Sequence, residues 1–420
     1  MRVLFTNATT VKGGAARASI RNYNALKRAG LNVHFATNQK SKTQSEYTLF
    51  RHSWLKQKYH QLISRIERKA IRKYVKDGFG YWSLSKWNRY NVQSGLNSHD
   101  VDLIHLNWIN DNFLSIGEIE KINKPVVWTF HDMWAFTGGC HYSGSCNGYI
   151  SGCKTCPAVI ESTSKNLTKH AYNSKEKAYS GLNLTVLCPS SWMAEKAKES
   201  GMFNSNVAIH VIPNCVDTNI YKPQKQDVLV DELKLTSGKM RILFGAINSL
   251  SDERKGGKYL IEVLKRIESS FPTLVDEIEL LVFGTEKSEQ LKQLPFNVTF
   301  LGYVRDEDLL AKIYGVADLF LVTSQEDNLP NTILESLACS TPVVAFNIGG
   351  IKDMIRHQEN GYLAIPFDVE DYVNGVVSLL KHKHIQEIRT VCRETVLDHF
   401  SVEVVASQHI DLYTEILSDK

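Results

Sequence analysis

The sequence predicts an α/β protein made of two doubly wound parallel-sheet domains. Short β-branched runs alternate with helix-period segments along nearly all of the 420 residues, the pattern of parallel strands joined by crossover helices. That length exceeds what one ordinary core fills. The alternation pauses once, at 212–223, where Pro213 and Pro223 and several Asn and Asp turn formers interrupt it.

The boundaries follow from that pause. A first domain is expected over 1–212, a linker over 213–223 and a second domain over 224–400. The segment 401–420 carries a helix pattern that suits packing back on the first domain. Strands are predicted at 2–6, 31–36, 101–106, 125–130, 184–188 and 208–212. A second series falls at 240–245, 278–283, 297–301, 318–322, 341–346 and 361–364. Helices are predicted between them, as in the stretch from Tyr259 to Ile267.

Composition bounds the function. With 43% hydrophobic and 22% charged residues the chain reads as a soluble globular protein, and a net charge of +4 does not argue for nucleic acid. No run of 18 uncharged apolar residues occurs, so no membrane-spanning helix is expected. The chain enters a strand at Arg2 with no apolar leader, which predicts a cytoplasmic protein.

The motifs sit at strand ends. Asp327 and Glu335 lie eight positions apart, the first in the loop after the apolar run 317–322 and the second on the helix this loop opens. In open parallel sheets ligands bind at that end of the strands. Two acids there suit the hydroxyl groups of a sugar and a ribose, although a helix cap and a solvated acid would give the same pair. Gly13 and Gly14 follow the first strand, where backbone N–H groups can approach a phosphate. Arg254 and Lys255 follow the first strand of the second half, placed to clamp a diphosphate. His131 ends the strand 125–130 and precedes Asp132, and His105 ends the strand before it and is expected on the same rim. Asp306-Glu307-Asp308 reads as a helix cap rather than a metal site.

Taken together these elements resemble the GT-B glycosyltransferases of family four, in their retaining, bacterial surface-polysaccharide branch. The resemblance rests on Asp327 and Glu335 in a Glu-x7-Glu frame, Gly13-Gly14, Pro213-Asn214-Cys215-Val216-Asp217, Arg254-Lys255-Gly256, and His131 to Tyr142 followed by spaced cysteines. It implies two Rossmann-like domains facing a central cleft. It implies transfer of a sugar from a nucleotide-diphosphate donor to a polyprenyl-diphosphate-linked glycan, with no cofactor required for catalysis. Glu335 would hold the donor's ribose and Asp327 the transferred sugar. Asn328 and Leu329 would also bind the substrate, and Glu326, beside Asp327, could substitute for it there. Arg254 and Lys255 would stabilise the leaving diphosphate, His131 would sit beside the reacting carbon, and Gly13 and Gly14 would offer amides. Charge builds on the diphosphate as the bond breaks, so fixed cations there replace a metal. The chain departs from the pattern at Asp327, one carbon shorter than Glu, and at Cys215 and Ser340, where Gly is common. A sugar-nucleotide epimerase and a non-catalytic sugar-nucleotide-binding scaffold are the rival readings.

Two features lie outside that frame. Cys140, Cys146, Cys153 and Cys156 include one C-x2-C step, a common zinc spacing, in a Gly- and Ser-rich loop with little apolar core of its own. Structural zinc is expected there, with disulfides or free thiols as alternatives and His141 as a substitute ligand. Cys188, Cys215, Cys339 and Cys392 read as small core residues. Between 51 and 76, Arg51, Lys56, Lys58, Arg65, Arg68, Lys69, Arg72, Lys73 and Lys76 face a single acid, Glu67. Leu55, Tyr59, Leu62, Ile66, Ala70 and Tyr74 recur at helical spacing, and Phe79, Tyr81 and Trp82 follow. Such a helix suits the inner face of an anionic membrane. It equally suits an apolar stripe packed on the domain with a solvated basic face.

Overall fold

The computed structural model describes residues 1–10, 13–37, 48–49, 54–76, 80–85, 92–111, 113–160, 166–203, 205–245, 252–284 and 288–418. Arg51 and Phe79 lie outside them, as do the side chains of Leu55, Lys56 and Ala70. The chain divides into two compact units, Met1–Pro213 with Val405–Lys420, and Asn214–Val404.

In the first unit β1 is Arg2–Thr6, β2 Asn32–Thr37, β3 Thr48–Leu49, β4 Leu103–Leu106, β5 Val126–Thr129, β6 Leu184–Cys188 and β7 Ile209–Val211. In the second, β8 is Met240–Gly245, β9 Ile278–Phe283, β10 Asn297–Gly302, β11 Leu319–Val322, β12 Val343–Phe346 and β13 Gly361–Ala364. Each of the twelve predicted strand segments holds one of these strands. The addition is β3, whose two residues are too short a run to show a period.

Each unit carries one sheet. The order is β3-β2-β1-β4-β5-β6-β7 in the first and β10-β9-β8-β11-β12-β13 in the second. All pairs are parallel; Val3, for example, stands opposite Val33 and Leu103. Helices cover both faces of such a sheet, so central strands read as continuous apolar runs. β4, β5, β6, β9, β11 and β12 are buried at every residue.

The order places a crevice in each unit. β1 connects to β2 on one side while β4 joins on the other; β8 and β11 repeat this arrangement. Loops leaving such a neighbouring pair turn away from each other and leave a gap at the carboxyl ends of the strands.

Local signals set the helix starts. Asp306 Oδ1 accepts from the N–H groups of Asp308 and Leu309 at 2.9 and 3.1 Å, so the acidic run caps the helix Glu307–Val316, as its sequence predicts. Ser190 Oγ caps Ser191–Glu199 by accepting from Met193 N–H at 3.1 Å.

The last helix, Val402–Ser418, corrects the expectation for His105. Its Tyr413 hydroxyl lies 2.5 Å from His105 Nδ1, and His105 Nε2 lies 2.6 Å from Thr129 Oγ1. His105 is fully buried, stacked on His409, and holds this helix instead of lining a rim. Burial, followed by the neighbouring His409 and His131, pushes its pKa well down.

Ser340 adopts φ +62°, in the left-handed region, just past the helix Asn331–Ala338. That explains why glycine suits this position. Ser340→Gly is expected to stabilise the second unit by about 0.5–1 kcal/mol, read from the chemical-denaturation midpoint; a loss of stability would contradict the strain argument.

Candidate functional site

The crevice of the second unit gathers the sequence-predicted charges. Arg254 and Lys255 lie on a short turn, Glu253–Lys255, soon after β8. Asp327 lies in the loop after β11. Lys255 Nζ stands 2.6 Å from Asp327 Oδ2, and Arg254 Nη1 stands 3.4 Å from the same oxygen. Arg254 Nη1 also donates to Glu326 O at 2.9 Å, and Arg254 Nη2 lies 3.5 Å from Asp252 Oδ2. Asp327 thus does not face the two cations from a distance. It is their direct partner.

Two glycines make this close packing feasible. Gly256 has φ +68°, and a Cβ there would fall 1.8 Å from Thr323 O. Gly349 has φ +55°, and its Cβ would fall 2.0 Å from Asp327 O. Thr323 Oγ1 donates to Lys255 O at 3.2 Å, and Gln325 N–H to Arg254 O at 2.7 Å. The loops after β8 and β11 are therefore stitched together with almost no space between their backbones.

The electrostatics follow from the packing. Asp327 is buried. Burial alone would raise its carboxyl pKa, but the charges of Lys255 and Arg254 outweigh it, helped by the N–H of Asn328, and hold the pKa below the ordinary value. Asn328 and Leu329 are buried beside it, and Glu326 is half-buried. Glu335 stands differently. It is fully buried on the helix Asn331–Ala338, where the Tyr314 hydroxyl donates to Oε2 at 3.1 Å.

The first unit presents a second cluster. His131, half-buried after β5, lies with Nε2 3.1 Å from Asn107 Oδ1. Burial, opposed by Asp132, lowers its pKa to about 4. Asp132 accepts from Trp134 N–H at 2.9 Å and from Trp108 Nε1–H at 3.2 Å, and its Oδ2 lies 2.7 Å from His141 Nδ1. His141 Nε2 lies 3.0 Å from Ser83 Oγ. Gly13, at φ +93°, and Gly14 are exposed at the start of the helix Gly14–Arg28, after β1; Lys12, beside them, lies outside the described residues.

The zinc expectation finds no support among the described residues. Cys140, Cys146, Cys153 and Cys156 are all free thiols and line one small cavity with Trp82, Gly138 and Tyr149. Yet among the described residues no group of three or more His, Cys, Asp or Glu side chains could hold a metal ion. Two of the sulfurs accept from backbone donors: Gly138 N–H reaches Cys153 Sγ at 3.1 Å and Gly148 N–H reaches Cys146 Sγ at 3.4 Å. His141 is occupied by Asp132 and Ser83.

Comparison with known proteins decides the family. Residues 12–220 match the model described as Glycosyltransferase Family 4, and residues 241–382 match Glycosyl transferases group 1. The chain belongs to these glycosyltransferases.

Among its relatives is a putative colanic acid biosynthesis glycosyl transferase, WcaC, of Escherichia coli (strain K12), 24% identical over 92% of both chains. A UDP-Gal:alpha-D-GlcNAc-diphosphoundecaprenol alpha-1,3-galactosyltransferase of Escherichia coli is 22% identical over 62% of this chain and 68% of its own. With the N-acetyl-alpha-D-glucosaminyl L-malate synthase of Bacillus anthracis, 25% identical, the match spans 51% of this chain and 55% of that one. Among solved structures, Anabaena Alr3699/HepE in complex with UDP-glucose superposes with a TM-score of 0.67, 15% identity, and 99% and 100% coverage. That likeness establishes the shared GT-B fold.

Within this glycosyltransferase, sequence reasoning missed Asn107, Ser83 and the His141–Asp132 pair as a network around His131. The available signal was that Asn107 directly follows a buried strand, the same cue that singled out His131 on the neighbouring strand.

Asp327→Asn should destabilise the second unit by about 1.5–3 kcal/mol at neutral pH, because it removes charge-assisted bonds to two cations. Its lowered pKa means that this stability is fully present above the ordinary carboxylate pKa. It is lost as the pH falls through the lowered folded value. Denaturation series from neutral pH to about pH 3 should therefore show less acid sensitivity in the variant; equal sensitivity would remove Asp327 from this role. His131 should titrate near 4 by NMR, and a midpoint near the ordinary value of about 6.5 would contradict its placement.

Proposed function

We propose that this glycosyltransferase moves a sugar from a nucleotide-diphosphate donor to a polyprenyl-diphosphate-linked glycan, with retention of anomeric configuration. The pathway is assembly of a surface polysaccharide (O-antigen, capsule or exopolysaccharide), and the enzyme works at the inner face of the plasma membrane. One observation carries the donor half of this reading. Arg254 and Lys255 converge on one carboxylate oxygen at the crevice of the second unit, where parallel sheets take ligands.

The chemistry follows from charge. As the bond between sugar carbon and phosphate breaks, negative charge gathers on the diphosphate. Arg254 and Lys255 stabilise it there. Asp327 keeps both cations aimed in the unliganded state and holds hydroxyls of the transferred sugar when donor is bound. Glu335 takes the ribose hydroxyls, which requires it to trade the Tyr314 hydroxyl or share its carboxylate with it. Asn328, Leu329 and Glu326 shape the donor loop. In the first unit His131, neutral at physiological pH, sits beside the reacting carbon. Gly13 and Gly14 present backbone amides. The Escherichia coli galactosyltransferase, named for its action on a diphosphoundecaprenol-linked sugar, supports a lipid-linked acceptor, and the WcaC relative supports the polysaccharide pathway.

The test is release of nucleoside diphosphate from candidate donors in the presence of a polyprenyl-diphosphate sugar. Lys255→Ala should lower kcat by about 10²–10³, and Glu335→Ala should mainly raise the donor KM. Unchanged turnover in both would sink the site assignment. NMR of the product should show the donor's anomeric configuration; inversion would overturn retention.

A further inference from the structure

The helix Trp54–Tyr74 in the first unit carries an uncovered apolar stripe. Tyr59, Leu62 and Ile66 are 57%, 53% and 48% exposed. At 100° per residue they share an arc of about 60°. Lys73 falls inside that arc, and Lys69, Lys58, Arg65 and Arg72 follow along one side of it, all exposed.

The opposite face is anchored. Glu67 is 3% exposed, and its Oε1 accepts from Ser85 N–H at 3.0 Å. Ile71 packs on the cluster of Val75, Trp82, Leu84, Ala158 and Val159. Ile160 N–H donates to Tyr74 O at 2.9 Å, and Lys76 N–H to Ala158 O at 2.8 Å. The helix thus has a fixed inner face, and the stripe at 59, 62 and 66 is not what packs on the unit. Its single acid, Glu67, is turned inward, so every charged side chain described on the outer face is basic.

We propose that this outer face docks on an anionic phospholipid surface, with Tyr59, Leu62 and Ile66 entering the headgroup boundary and the flanking Lys and Arg pairing with lipid phosphates. Charge complementarity selects this occupant. A second copy of the chain would bring the same cations against each other and be repelled, whereas an anionic bilayer meets apolar stripe and cations together. The inference deepens the reading of a lipid-linked acceptor, because it holds the enzyme where that substrate lies. It stands apart from the catalytic residues.

Flotation of the full chain with phosphatidylcholine vesicles, with and without phosphatidylglycerol, tests it. Binding is expected only with phosphatidylglycerol and should weaken as salt rises. The pair Lys69→Glu/Lys73→Glu should lose at least about tenfold in partitioning. Leu62→Ser/Ile66→Ser should weaken binding even at low salt. Both pairs are surface changes, so circular dichroism and donor turnover on a short-chain soluble acceptor should match the unaltered chain. Absence of flotation at low salt, equal flotation of the charge-reversed pair, or self-association through this face by sedimentation would each overturn the proposal. Flotation without transferase activity would sink the acceptor reading and leave the docking surface standing; activity without flotation would do the reverse.

Discussion

A carboxylate buried between two cations organises the second unit. Asp327 could not remain charged in that position without Lys255 and Arg254, because desolvation by itself favours its neutral form. The pair in turn requires two loops from neighbouring strands to touch. Gly256 allows this by leaving out the side-chain atom that would collide with Thr323 O, and Gly349, in the loop after β12, likewise leaves room for Asp327 O. The parallel order β8-β11 brings those loops out side by side. Sheet order, glycine conformation and ion pair therefore depend on one another, and both cations are held in place by Asp327.

The first unit solves its own positioning problem with neutral and hydrogen-bonded groups. Asp132 has three partners, Trp108, Trp134 and His141, which leave it little freedom. That rigidity fixes the adjacent backbone and so the start of the His131 side chain, whose ring leans on Asn107. Burial keeps that ring uncharged at physiological pH. The cysteine-rich loop enters this network through His141.

Much of the fold was legible because parallel strands buried on both faces leave continuous β-branched and aliphatic runs, and each of the twelve expected runs holds a strand. The residues at the strand ends were legible for a related reason: a polar or charged group at the end of an apolar run has few other uses. What misled was contact at long sequence separation. His105 looks like a rim residue until the Tyr413 hydroxyl, 308 positions away, closes over it. Asp327 and Lys255 are 72 residues apart, and nothing local announces that they touch.

The sequence by itself determined the class of fold, the polar and charged residues that stand at strand ends, the glycine turns and the basic character of the helix after residue 53. These are local properties, written in periodicity and in the residue types that a strand end or turn tolerates. Only the tertiary structure decided which charges pair, that Glu335 is buried against Tyr314, and that Tyr59, Leu62 and Ile66 point away from the unit while Glu67 and Ile71 hold it. Helical period gives the angle between side chains but not which side meets the core. That choice is made by the partners a residue finds across the chain.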